Sequence, residues 1–178
     1  PMIGEKTHVT VADLGAGPIS ATGSTWPGVK VEICASDFLA KEYNALWEDR
    51  KDRPLIPVVY EDMGSLSYPD GCFDIVHCVN ALDHCEDPRK ALAEMLRVVK
   101  PGGWVYLRHN ENEGDRLNYM SFHYWNIQRQ GNDALCWNKS DQFRLSGIDS
   151  RFDTCWKAEK PNTPYPSVES IVSVLHNV

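Results

Sequence analysis

The sequence predicts an α/β fold, a mostly parallel sheet with helices on both faces and an antiparallel C-terminal edge. Three observations carry this. Strand-like and helix-like segments alternate at the spacing of strand–helix–strand units through the first two-thirds of the chain. A glycine-rich turn, Gly15-Ala16-Gly17-Pro18, directly follows the first strand-like run. The last third instead holds short β-rich runs around a hairpin, which suits antiparallel strands closing one edge.

The elements follow in order. His8 to Leu14 is β-rich and runs into the glycine turn. Gly23, Pro27 and Gly28 allow only a brief helix before the second strand, Val29 to Ala35, which closes at Ser36-Asp37. Leu39, Tyr43, Leu46 and Trp47 recur at helical steps, so Leu39 to Arg50 reads as a helix ended by Pro54 and Pro57. Pro57 to Glu61 is a third strand, Tyr68-Pro69-Asp70-Gly71 a turn, and Phe73 to Val79 a fourth strand. Asp87-Pro88 has the form of an N-cap with proline at the first helical position. Ala91, Leu92, Met95, Leu96 and Val99 supply that helix's apolar face, Lys100-Pro101-Gly102-Gly103 stops it, and Trp104 to Leu107 is a fifth strand. An aromatic cluster follows at Tyr119 to Trp125. Ala134–Trp137 and Gln142–Leu145 then flank a hairpin turn, and Phe152–Lys157 and Val168–Leu175 are two further β-rich segments.

Composition bounds the function. The chain has 178 residues, 42% hydrophobic and 24% charged, which fits one folded domain over residues 1–178. Its motif core lies at 8–110, with acceptor-side and C-terminal β segments at 111–178. A net charge of −7 argues against a nucleic-acid partner, since phosphate binding needs a basic stripe. No apolar run reaches the ~18 residues needed to span a bilayer. The opening PMIGEKTH carries no leader pattern, so a cytoplasmic location is expected. The six cysteines form no CxxC pair and read as reduced thiols.

The residues that carry chemistry fall at strand ends. Glycines in Asp13-Leu14-Gly15-Ala16-Gly17 let the backbone turn sharply and approach a ligand closely. A third glycine, which a dinucleotide pyrophosphate would want, is replaced by Ser20. Asp37, about 20 residues on at the end of the second strand, is placed to accept ribose hydroxyls, or else to cap the next helix. In Glu61-Asp62-Met63 a carboxylate can accept an adenine amino proton and an apolar neighbour can cover the ring. Asn80-Ala81-Leu82-Asp83-His84 closes the fourth strand. Ligands of open α/β sheets bind beyond the strands' carboxyl ends, so the four signals reinforce one another.

The ordered set ADLGAGP, ASDF, EDMGSL, FDIVHCVNALDHCEDP and LRVVKPGGWVYL resembles class I S-adenosylmethionine-dependent methyltransferases of the type 11 kind, over roughly residues 8–110. The resemblance implies a Rossmann-like, seven-stranded sheet with its last strand antiparallel. It implies S-adenosylmethionine as cofactor, with Gly15 and Gly17 at its methionine portion, Ala16 between them in the cofactor-binding set, and Asp13 orienting the glycine loop or contacting the amino group through water. Asp37 and Phe38 would serve the ribose, Asp62 and Met63 the adenine, and Asn80 and Ala81 the edge near the sulfonium. A narrower resemblance, to a bacterial subgroup associated with surface-glycan biosynthesis, rests on His109-Asn110-Glu111-Asn112-Glu113-Gly114 and on His123-Tyr124-Trp125-Asn126. Phe122 and Tyr124 stand where that subgroup has Leu and Gln.

On the acceptor side, methyl transfer is chiefly a positioning task, and an alcohol acceptor also needs a base. The sequence nominates His109, with Glu111 or Glu113 beside it, then His123, then His84. His77-Cys78 and His84-Cys85 place soft ligands close in sequence, but His77 and Cys78 point to opposite faces of a strand, and no metal site is expected. The expected reaction is O- or N-methylation of a small-molecule or glycan-type acceptor. Only about seven residues precede the first strand, so the acceptor side is expected to be open, truncated, or completed by a homodimer mate or a partner chain. Two rival readings remain at this point: a non-catalytic or partner-dependent S-adenosylmethionine-binding module, and a nicotinamide-dependent oxidoreductase.

Overall fold

A computed structural model describes residues 4–148 together with the backbone of 152–159 and 170–177. In chain order the strands are β1 (His8–Leu14), β2 (Thr25–Trp26), β3 (Val29–Asp37), β4 (Val58–Tyr60), β5 (Phe73–Val79), β6 (Val99–Asn110), β7 (Asn126–Gln130), β8 (Asp133–Trp137), β9 (Gln142–Arg144), β10 (Phe152–Glu159) and β11 (Ser170–Asn177). The helices are α1 (Ala40–Ala45), α2 (Pro88–Val98) and α3 (Glu113–Arg116).

The main sheet runs β10-β11-β6-β5-β1-β3-β2, and β4 also pairs with β3. Strands β1, β3, β4, β5 and β6 pair in parallel, while β11 is antiparallel to both β6 and β10. The Rossmann-like, mostly parallel sheet with an antiparallel C-terminal edge is therefore present. It counts eight strands rather than seven, the extra one being the two-residue β2 that folds back on β3. From β1 the chain steps outward to β3 and β4, then returns to the other side for β5 and β6. That reversal opens a crevice at the carboxyl ends of β1 and β5.

Strand register decides which residues share a face. Ala12 pairs with Val76, and Val76 with Val105; Leu14 pairs with Cys78, and Cys78 with Leu107. These six are buried, and they form one core with Leu92, Met95 and Leu96 of α2. Each buried aliphatic side chain contributes roughly 1.5–3 kcal/mol. Ile127, Ala134 and Cys136, from the small antiparallel sheet β7-β8-β9, join the same core. On the opposite face Ala35, Val58 and Ala40 of α1 make a smaller cluster.

Local chemistry explains most boundaries. The Asp87 side chain accepts the Arg89 N–H and Pro88 opens α2, as the sequence predicts. The stop signal Lys100-Pro101-Gly102-Gly103 bulges out of β6: Phe73 pairs with Val99, but Ile75 already pairs with Trp104. Two expectations are corrected. No helix forms between β1 and β3, where Gly23, Pro27 and Gly28 leave a loop and β2. The helix expected to Arg50 stops at Ala45, and the chain continues in turns such as Trp47 N–H to Asn44 O at 3.0 Å. Leu46 is exposed, so this segment has no apolar face to bury, and so short a helix is not stable on propensity alone.

Candidate functional site

A cleft of about 1000 Å³ opens beyond the carboxyl ends of β1, β3, β4 and β5. Gly15, Gly17, Asp37, Phe38, Asp62, Met63, Asn80 and Ala81 all line it, and they come from four separate strand ends. The sequence-predicted cofactor residues are thus brought together, with two exceptions. Ala16 lies behind the lining, donating its N–H to Ser36 O at 3.0 Å and packing on the Ala35–Ala40–Val58 cluster. Asp13 is buried beneath the loop.

The loop is shaped by contacts that only these residues allow. Gly15 has φ +68°, and a Cβ there would overlap the Cβ of Ala81. Gly17 has φ +67° with nothing within 4 Å of an added Cβ, which leaves its backbone open to an approaching ligand. Its N–H donates to Asp37 Oδ2 at 2.9 Å, while Asp37 Oδ1 accepts from Leu39 N–H at 2.8 Å. Asp37 therefore both fixes the loop and starts the next segment, and lone pairs remain on each oxygen for a ribose. Below the loop, Asp13 accepts from Ser20 Oγ at 2.6 Å and pairs with His77 Nδ1 at 2.7 Å. Burial pushes the Asp13 carboxyl up, but the His77 and Ser20 bonds outweigh it and hold it below its ordinary value. Ser20, standing where a third glycine is absent, is thus an anchor for the loop's far end.

The adenine side is less open than the sequence implies. Glu61 is buried, and each of its oxygens accepts one bond from Ser67, from its N–H and its hydroxyl. Asp62 is exposed and accepts only the Gly64 N–H, at 2.8 Å, so it is the carboxylate free to meet a base. Met63 spans cleft and core, its sulfur 4.0 Å from Cys78 Sγ. Asn80 sits at φ +53°, and its side chain accepts the Asn110 N–H at 3.2 Å, tying the end of β5 to β6.

The acceptor residues fall differently. Glu111 is outside the cleft lining and accepts the Arg129 N–H at 3.1 Å, holding β7. Glu113 is buried between Asn110 and Arg116. His109 is 3% exposed, and neither ring nitrogen has a hydrogen-bond partner. Burial, only partly opposed by the Asp83 charge, pulls His109 down to about 4 and keeps it neutral at pH 7. His123 is buried with Nδ1 2.6 Å from Asp83 Oδ2 and 3.1 Å from His84 Nε2. Of the five nominated residues, only His84 lines the cleft, beside Phe122, Tyr124 and Trp125. Phe122 is 60% exposed, so the aromatic cluster is partly wall and partly core, with Trp125 buried. Arg89 and Asp141, which the sequence did not flag, close another part of the wall as a bidentate pair.

Comparison with known proteins decides what this cleft belongs to. Residues 12–107, more than half of the chain, match the methyltransferase domain family. The chain belongs to that family. Its cofactor is S-adenosylmethionine, and the open glycine backbone, Asp37 and Met63 at the cleft fit that molecule. The nicotinamide reading is thereby set aside. Among curated relatives, the demethylmenaquinone methyltransferase of Renibacterium salmoninarum is 34% identical over 101 residues, 57% of this chain and 41% of that protein. The ubiquinone biosynthesis O-methyltransferase of Thiobacillus denitrificans is 33% identical over 110 residues, 60% of this chain and 44% of its own length. The match thus spans less than half of either relative. Among solved structures, an S-adenosylmethionine-dependent methyltransferase from Methanosarcina mazei superposes with a TM-score of 0.60 at 16% identity. It covers 97% of this chain and 94% of that one, which shows the shared fold. A Haloferax volcanii protein solved with the Trm112 methyltransferase activator gives 0.59 at 16% identity, covering 98% of this chain and 84% of that one.

Among the described residues no helix is long and apolar enough to cross a membrane. Cys34, Cys72, Cys78, Cys85 and Cys136 are free thiols, and burial pushes Cys85 up to about 12.

Proposed function

We propose that this domain transfers the methyl group of S-adenosylmethionine to a small hydroxylated aromatic acceptor of the hydroquinone or phenol class. The observation that carries the reading is one cleft with two kinds of wall. Polar groups at the ends of β1, β3 and β4 suit the cofactor, and Phe122 and Tyr124, set edge to face in front of the buried Trp125, offer an aromatic wall on the other side. Curated relatives named for demethylmenaquinone and ubiquinone biosynthesis methylation support the same acceptor class.

When bound, the cofactor supplies a methyl group already activated by positive sulfur. The chain's own residues then do positional work. Gly15 and Gly17 give close approach, Asp37 fixes the ribose by charge-assisted hydrogen bonds, Asp62 meets the adenine amino group, and Met63 covers the ring. Asn80 and Ala81 border the reacting end, and the aromatic wall directs the acceptor's polar edge toward His84. His123 and Asp83 back His84 from behind, while His109 and Glu111 support the wall rather than touch the cleft. Holding two reactants in line in this way is where most of the rate gain arises. The exposed rings of Phe122 and Tyr124 favour an acceptor side completed by a second chain, a homodimer mate or an activator like that seen with the Haloferax protein.

The test is incubation with isotopically labelled S-adenosylmethionine and a panel containing a hydroquinone, a catechol and a hydroxylated sugar. One methyl group gained on an aromatic acceptor, seen by mass spectrometry, is the expected result. Methylation of the sugar alone would move the reading to a glycan acceptor, and cofactor binding without turnover of any acceptor would leave the binding-module reading.

A further inference from the structure

We propose that Asp83, His84 and His123 form a binding site for one divalent transition-metal ion, of the zinc, iron(II) or cobalt(II) kind, at the wall of the cofactor cleft. The sequence places soft ligands together only beside cysteines, and this site uses no cysteine.

Three segments build it. Asp83 and His84 lie on the single 3-10 turn Leu82–His84 that follows β5. His123 comes from the loop ahead of β7, 39 residues on. The main chain latches these segments together without help from any ion, because Asp83 O accepts both the Tyr124 N–H at 3.0 Å and the Trp125 N–H at 3.2 Å. His109, near the end of β6, closes the back with Nδ1 3.9 Å from Asp83 Oδ1.

The donor atoms converge. Asp83 Oδ2 is 2.6 Å from His123 Nδ1, His123 Nδ1 is 3.1 Å from His84 Nε2, and His84 Nε2 is 3.7 Å from Asp83 Oδ2. Bonds of about 2.0–2.2 Å to a tetrahedral ion put donor atoms roughly 3.3 Å apart, within the spread seen here. Hydrogen atoms leave the His123–His84 contact of this cluster without a proton of its own. A neutral imidazole carries one N–H. If His123 Nδ1 donates to Asp83, it presents that same N–H to His84 Nε2 at hydrogen-bond distance from a second acceptor. If it accepts from His84, its lone pair faces a carboxylate oxygen at 2.6 Å. Asp83 Oδ1 and both nitrogens of His109 are buried without any hydrogen-bond partner. Buried polar atoms are paired in the great majority of cases, so this much unmet valence in one place asks for a ligand.

A divalent ion gives Asp83 Oδ2, His84 Nε2 and His123 Nδ1 one charge to face in common, with the unpaired Asp83 Oδ1 and His109 behind it. Two imidazoles and one carboxylate suit zinc or iron(II), whereas magnesium and calcium prefer all-oxygen sets. Three protein ligands leave coordination open, and His84 places the ion beside the cleft, where a hydroxyl of an acceptor could join it. The inference stands apart from the proposed acceptor, since metal binding is read without turnover.

The full chain, stripped with a chelator, is titrated with Co²⁺ while its visible d–d absorption is followed, and Zn²⁺ uptake is measured by equilibrium dialysis with elemental analysis. Uptake of one ion per chain with a micromolar or lower dissociation constant is expected. His84→Ala, whose side chain is partly exposed, and Asp83→Asn should each weaken binding about tenfold or more. Circular dichroism and binding of S-adenosylhomocysteine report separately that a variant is folded. Failure of the stripped wild-type chain to take up a stoichiometric ion, or unchanged affinity in a folded His84→Ala variant, would overturn the site and leave the cofactor assignment intact.

Discussion

Gly15 shows how much a single position decides. Its left-handed backbone costs an alanine roughly 1–2 kcal/mol, and the overlap with Ala81 adds the cost of overpacking. Gly15→Ala is therefore expected to lower stability by about 2 kcal/mol or more in urea unfolding, and to weaken cofactor binding because Ala81 lines the same cleft. Asp74 is a second such position, remote from the site. Its buried carboxylate accepts the Thr10 N–H at 2.9 Å and pairs with Lys6 and with Lys100 at 2.9 Å. Burial raises its affinity for a proton, but these partners outweigh burial and hold it well below the ordinary carboxylate range. Because the folded value is depressed, Asp74 stabilises the fold above about pH 4, and this contribution is lost as pH falls through the folded value. Asp74→Asn should cost about 2 kcal/mol at neutral pH. Its unfolding free energy should then decline less steeply than wild type below pH 4, and parallel acid limbs would show that Asp74 is not the group responsible. At this scale the meeting of Gly15, Asp37 and Asn80 at one cleft was legible, since they sit at fixed offsets from strand ends. The Asp83–His84–His123 grouping was not, because nothing local in either segment signals a partner 39 residues away.

At the scale of elements, legibility followed how local the cause is. Phe73–Val79 and the Asp87-Pro88 start of α2 were readable from alternation and capping, which act within a few residues. The hairpin β8–β9 was readable from its turn residues. Strand β7 was missed, because Asn126–Gln130 lacks alternation of its own and gains strand form by pairing with β8. The helix expected to run to Arg50 was over-extended for the opposite reason. Leu46 and Trp47 keep helical spacing, but no neighbouring element covers Leu46. Spacing proposes an amphipathic face, and only tertiary packing makes it worth forming. Arg89 illustrates the same limit within the site, as its guanidinium is held by Asp141 from the β8–β9 turn, 52 residues away.

For the whole molecule, sheet order creates the cleft. The reversal between β1 and β5 places four strand ends around one opening, and the small sheet β7-β8-β9 packs under the same core that α2 covers. One side of the cleft is thus built by the ends of the parallel strands, and another by Phe122, Tyr124 and Trp125 of the segment linking β6 to β7. The strand-end residues lie within residues 12–107, which match the family, and they were readable for that reason, whereas Phe122, Tyr124 and Trp125 reach the cleft only through tertiary packing. The central claim is that this cleft holds S-adenosylmethionine through Asp37. Isothermal titration of the purified chain with S-adenosylmethionine and S-adenosylhomocysteine tests it directly, alongside Asp37→Ala and the exposed-site control Asp52→Ala. The account predicts one site in the wild type and the control, and a loss of roughly 3 kcal/mol, about a hundredfold, in Asp37→Ala. Equal affinity in all three chains, or no binding by the wild type, would contradict it.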